Sequence, residues 1–233
     1  MRTKHWIGLA AAVSVIGVAG CAGMQSGPTG MSFFVTSSNP GKGADFGGIA
    51  GADRFCQSLA QAAGAGNRTW RAYLSTQAST LNGTDFVNAR DRIGTGPWYN
   101  AKGALIARNV AELHSDANGI NVQTALDEKG NVSINDRTKQ PNQHDILTGS
   151  RADGTAFVGG AGGGAPFPDM TCGNWTKGTD EGSAMVGHFD KSGPHPTVPW
   201  SVSWNSSHPT IGCSMAKIRP TGGDGRLYCF AAN

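Results

Sequence analysis

Apolar positions along this chain fall into short groups of different spacing, separated by glycine, proline and small polar residues. Phe33, Phe34 and Val35 give residues 32–36 strand composition, and Asn39, Pro40 and Gly41 close that segment with turn chemistry. Ala52, Cys56, Leu59 and Ala63 then recur at spacings of three and four, which predicts a first helix over residues 49–63. Gly64 and Gly66 stop it. Directly after, Trp70, Ala72 and Leu74 alternate with Arg71 and Tyr73, the pattern of a half-buried strand. A second helix is expected over residues 86–93, broken by Gly94, Gly96 and Pro97, and residues 98–114 read as strand and short helix. From 116 to 164 the chain carries mostly turn signals and ends in a glycine tract, 159–164, that reads as a loop. Apolar residues return at Trp175, Met185, Val186, Trp200, Val202 and Trp204, and residues 227–230 form a closing strand.

The amino terminus has a different pattern. Arg2 and Lys4 precede an apolar run over residues 6–20, followed by Val18-Ala19-Gly20-Cys21. The layout is that of an export signal, and the last four residues resemble the lipobox of bacterial lipoproteins. The resemblance implies cleavage after residue 20, acylation of Cys21 and a chain anchored to a membrane without spanning it. Ala22 in place of an aspartate favours the outer membrane of the cell envelope. Residues 21–31, rich in glycine and serine, read as a tether, leaving residues 32–233 as one domain.

Removing the signal takes Arg2 and Lys4 from the 19 basic residues and leaves 17 against 16 acidic ones. A nearly neutral chain without a basic cluster is not expected to bind nucleic acid. After Cys21, four cysteines remain: Cys56, Cys172, Cys213 and Cys229. None forms a Cys-x-x-Cys pair, so in an oxidising compartment they predict two disulfides over a structural zinc module. Counting alone permits three connectivities.

The order of motifs carries a second resemblance. Cys56 leads into Trp70-Arg71-Ala72-Tyr73-Leu74-Ser75, then Asp145-Ile146-Leu147-Thr148-Gly149-Ser150, Cys172-Gly173-Asn174-Trp175, Cys213 and Leu227-Tyr228-Cys229-Phe230. This series is similar to the endostatin-like branch of the C-type-lectin-like family. It implies an α+β fold with two helices on a mainly antiparallel sheet, long irregular loops, and nested disulfides Cys56–Cys229 and Cys172–Cys213. The amino-terminal histidines and arginine-rich surface of endostatin have no counterpart here, so its zinc and heparin functions are not implied.

The resemblance points to a binding module for a glycan, an envelope polymer or a surface protein, with candidate ligand residues Gln140, Asn142, Trp200, Trp204, Asn205 and His208. Gln140-Pro141-Asn142 and Trp204-Asn205 are similar to the calcium-lectin tripeptides, but Ser206 stands where those lectins carry aspartate, which weakens a hard-cation site. His144, Asp145, His188 and Asp190 are metal-ligand candidates, with His195 and His208 nearby in sequence. No pair has a local spacing that joins two ligands, so structural histidines are the expectation; calcium is the more plausible ion, zinc the less, and neither is required. Catalytic signatures such as Gly-x-Ser-x-Gly or His-Glu-x-x-His are absent, and the bridged cysteines leave no free thiol, so an enzyme is not expected.

Overall fold

A computed structural model describes Met1 and residues 30–159 and 168–233. The signal, Cys21, most of the tether and residues 160–164 of the glycine tract lie outside the described residues. The domain is mixed α and β. Its spine is the last strand, β8 (Gly223–Ala231), which carries β1 (Phe33–Val35) on one edge. On the other edge two strands follow one another: β2 (Trp70–Ala72), antiparallel against residues 229–231, and β5 (Asp145–Leu147), parallel against 223–227. The sheet continues from β5 through β6 (Met185–His188) to β7 (His208–Pro209), both antiparallel. A separate hairpin pairs β3 (Trp98–Tyr99) with β4 (Leu105–Ala107).

The first helix, α1 (Gly48–Ala62), forms where the apolar stripe predicts it. Its buried face is Ala52, Asp53, Cys56 and Ala60, so the stripe runs through Ala60 and an aspartate rather than through the half-buried Leu59. The expected second helix over 86–93 reduces to a three-residue 3₁₀ turn, Ala89–Asp91. The other α-helical segments described are single turns: α2 (Val110–Leu113), α3 (Cys172–Trp175) and α4 (Met215–Ile218). A three-residue strand, β5, stands inside a stretch that reads as turns.

Both faces of the central sheet are covered. Phe34, Trp70, Ala72, Leu74, Leu227 and Cys229 pack into the core beneath α1, while Phe33, Val35, Tyr73, Tyr228 and Phe230 pack into a second core on the other side. Tyr73 is therefore fully buried, where alternation alone would place it outside. Cys56 of α1 is bridged to Cys229 of β8, and Cys172 to Cys213, the pairing that the resemblance implies. Among the described residues no helix is long and apolar enough to cross a membrane.

Candidate functional site

The two outer pairings of the sheet bring a set of histidines together. Asp145 and His188 are direct register partners across β5 and β6, and His208 lies opposite Val186, two residues from His188. Residues directly opposed share a face of the sheet, and so do those two apart along a strand. His144 joins them because it precedes the strand, where the ladder to β8 shifts register between Asp145 and Ile146. Gly187 keeps β6 thin enough for the chain to pass over it: a Cβ there would stand 2.0 Å from the Trp204 carbonyl oxygen.

The convergence is narrow. Asp145 Oδ1 lies 3.2 Å from His144 Nε2, 3.4 Å from His188 Nε2 and 3.6 Å from His208 Nε2. The His144 and His188 rings stack with centroids 4.1 Å apart, and His208 lies 5.1 Å from His188. Asp145, His144 and His188 are buried; His208, with 30% of its side chain exposed, is the one that meets solvent. Despite these separations, both Asp145 carboxylate oxygens and His188 Nε2 lack a hydrogen-bond partner. A buried carboxylate in that condition costs several kcal/mol of desolvation, on the order of the penalty for any uncompensated interior charge.

The outer ring nitrogens are all occupied. His144 Nδ1 is 3.0 Å from Asp190 Oδ1, His188 Nδ1 is 2.9 Å from the Ser201 carbonyl, and His208 Nδ1 is 3.1 Å from the Pro209 carbonyl. Carbonyl and carboxylate oxygens only accept, so each Nδ1 carries a proton and Nε2 is the nitrogen that each ring turns toward Asp145. Burial, and then the neighbouring His144, push the His188 pKa down to about 4, so this ring is neutral near pH 7. At His208 burial disfavours the cation, but the nearby Asp145 carboxylate outweighs it and raises the pKa. Asp190 also accepts from the backbone N–H groups of Arg137 and Ser192. These bonds, with the His144 contact, hold its carboxyl below the usual range against the opposing effect of burial. Asp190 therefore orients a histidine and does not join the convergent set. The residues whose ligand atoms converge closely enough to hold a metal ion are His144, Asp145 and His188; His208 Nε2 comes within 3.6 Å of Asp145 Oδ1.

A cleft of about 750 Å³ opens beside this cluster. Trp200 stands at its lip, 46% exposed, on a 3₁₀ turn (Pro199–Val202). Trp204, His114, Asn118 and Lys191 contribute to its walls. No protein-family model matches the chain, and no curated protein matches it. Trp204 is only 4% exposed and packs on Tyr73 and Tyr228, so it forms the floor. Asn205 borders the cleft, but its amide is spent on the Tyr73 hydroxyl and the carbonyls of Arg151 and Ala152. The Tyr73 hydroxyl in turn donates to His114 Nε2 at 2.7 Å. Gln140 and Asn142 line a different cleft, with Arg219 and Gly222, so the two lectin-like motifs do not share a site.

Of the residues singled out in the sequence, the structure brings His144, Asp145, His188 and His208 together and sets Asp190 behind His144. His114, the partner of the Tyr73 hydroxyl, lies in no motif, and Tyr73 entered only as part of a strand.

Proposed function

We propose that this protein is a lipid-anchored recognition module of the bacterial envelope, with a C-type-lectin-like domain that binds a saccharide in the Trp200 cleft. The observation that carries the reading is Trp200 itself, a large aromatic held half in solvent on a proline-flanked turn above a cleft whose walls mix apolar and polar residues. A pyranose has one apolar C–H face and a rim of hydroxyls. An exposed indole suits the face, and Asp116, Lys191 and Ser206 suit the rim. The nested disulfides and the terminal β8 spine support the fold assignment. The lipobox-like run ending at Cys21 supports the anchor. Because Gln140 and Asn142 lie apart from Trp204 and Asn205, binding in this cleft is expected to be independent of calcium bridging the two motifs.

The experiment has two arms. Cells expressing Cys21→Ser are expected to lose the protein from the membrane fraction; retention there overturns the anchor. On an array of envelope and plant glycans, the detergent-purified protein is expected to retain a defined oligosaccharide. Trp200→Ala, an exposed substitution, is expected to weaken that binding about three- to tenfold, the contribution of roughly one aromatic contact. If no glycan is retained, or if Trp200→Ala binds as well as the parent, the saccharide reading is wrong.

A further inference from the structure

We infer that His144, His188 and His208, through their Nε2 atoms, and Asp145, through its carboxylate, form a binding site for one divalent transition-metal ion of the zinc class. The ion would also moor the wall of the neighbouring cleft.

Four observations converge. The first is the orphaned polarity: three buried polar atoms without hydrogen-bond partners, both oxygens of Asp145 and Nε2 of His188, belong to this one cluster. Native interiors satisfy such groups, and a local concentration of unsatisfied ones signals a missing ion or water. The second is spacing. Zinc bound at 2.0–2.1 Å to nitrogen and oxygen in a tetrahedron sets ligand atoms roughly 3.3 Å apart. The ligand atoms of His144, Asp145 and His188 all lie within 4.8 Å of one another, with Asp145 Oδ1 3.2 and 3.4 Å from the two Nε2 atoms, while His208 Nε2 lies 3.6 Å from Asp145 Oδ1 but outside that mutual set.

The third is the outer shell. Metal-bound histidines characteristically donate the distal N–H to a carboxylate or backbone carbonyl, which fixes ring and tautomer. All three rings do so, to Asp190, Ser201 and Pro209. A set of histidines held only by packing has no reason to present the same nitrogen inward three times. The fourth is donor chemistry. Three imidazoles and one carboxylate suit zinc, cobalt, nickel or copper, and not calcium or magnesium, which take oxygen ligands. With His208 drawn in from the solvent side as the fourth ligand, protein groups would fill the tetrahedron and the ion would be structural.

The outer shell also gives the ion a task. Asp190 and Ser201 sit near the two ends of residues 189–203, the segment that bears Trp200 and borders the cleft. Both ends are thus tied to metal ligands, His144 at the start and His188 at the finish. The segment is also held by the Phe189 N–H on the His144 carbonyl, the His188 N–H on the Ser203 carbonyl, the Arg137 N–H on Asp190, Lys191 Nζ on the Asn118 carbonyl and Arg137 Nη1 on the Gly193 carbonyl. Metal occupancy would add two fixed points to these ties and order the wall further.

The test uses the mature lipoprotein purified in detergent, stripped with chelator, desalted, and incubated separately with Zn²⁺, Co²⁺ and Ca²⁺. After a second desalting, elemental analysis is expected to find one Zn²⁺ or Co²⁺ per chain and no Ca²⁺. The Co²⁺ form is expected to show the visible absorption of a tetrahedral centre. His188→Ala is expected to retain no metal. His208→Gln, at a partly exposed position on an edge strand, keeps the fold by circular dichroism while losing at least tenfold in Zn²⁺ affinity. His195→Ala, outside the cluster, keeps one equivalent. Asp190→Asn is expected to lose roughly 10- to 100-fold, the usual effect of removing an outer-shell partner. Hydrogen exchange across residues 189–203 is expected to slow when Zn²⁺ binds. Less than a tenth of an equivalent of every transition ion, or undiminished Zn²⁺ affinity in both His208→Gln and Asp145→Asn, overturns the site. Unchanged exchange in a fully loaded protein overturns the mooring role. Metal content is read without any sugar present, so the result stands apart from the saccharide assignment.

Discussion

Replacing Cys56 and Cys229 together by alanine is expected to destabilise the domain by about 5 kcal/mol and to lower its melting temperature by roughly 10–20 °C. The bridge spans 173 residues and joins the only long helix described to the strand on which the sheet is built. In the loop-entropy model a closure of that length restricts the unfolded chain more than the 41-residue Cys172–Cys213 bridge does, by about 1 kcal/mol. Both sulfurs are fully buried between α1 and the sheet, so the loss of packing adds to the loss of constraint. Calorimetry on the two paired-alanine variants decides the matter. A fall of less than 5 °C for the 56/229 pair, or a larger fall for the 172/213 pair, would show that native strain or residual structure outweighs loop length.

Asp53→Ala is expected to cost about 3–5 kcal/mol, the range for breaking one side of a buried ion pair. Asp53 lies on the inner face of α1, and its Oδ2 is 2.6 Å from Arg92 Nη2 and 2.7 Å from Arg71 Nη1. Its Oδ1 accepts the Ala72 N–H at 3.0 Å, while Arg92 Nη1 donates to the Ala72 carbonyl. One carboxylate thus joins the helix, β2 and the 3₁₀ turn at residues 89–91. Arg71 is 42% exposed and water can replace its partner, so it adds little. Arg92 is only 13% exposed and would be left charged without compensation. Asp53→Asn keeps an oxygen for the Ala72 N–H and is expected to lose less than the alanine variant. Urea denaturation of both variants measures this; an alanine variant within 1 kcal/mol of the parent would mean that Arg92 finds water or another acceptor.

What the sequence shows of this fold follows the range of the forces involved. The first helix is legible because its stripe is local, and β8 because a run of Leu227, Tyr228, Cys229 and Phe230 is apolar on both faces. The same double coverage misleads at Tyr73: with a core on each side of the sheet, alternation sorts residues between two interiors and not between interior and water. Ala89–Asp91 stays a single 3₁₀ turn, its neighbours held by the Ser75 hydroxyl and by Arg92 reaching back to Ala72 and Asp53, contacts that no helical period announces. β5 is a short strand set among turn signals, without the flanking alternation that marks β2. The candidate residues of the histidine cluster stand in the sequence, but their convergence does not, for a related reason. His144, His188 and His208 are separated by 44 and 20 positions, and only the register of β5, β6 and β7 brings them to one point. Had the pairing of Asp145 with His188 been known, the cluster could have been named from the sequence.

The pairing of β1 with β8 sets the polarity of the whole molecule. The Ala231 N–H donates to the Ser32 carbonyl, and Gly30, Ser32, Ala232 and Asn233 border one small cleft. The chain thus enters and leaves its domain at the same pole. Whatever holds the segment before residue 30 also holds the carboxy-terminal end close by. A reporter fused after Asn233 would sit in the shade of that attachment, whereas one inserted at an exposed position distant from both ends, such as Val132, would project freely. Force applied through the leading segment would first meet β1, three fully buried residues laid against a disulfide-fastened strand.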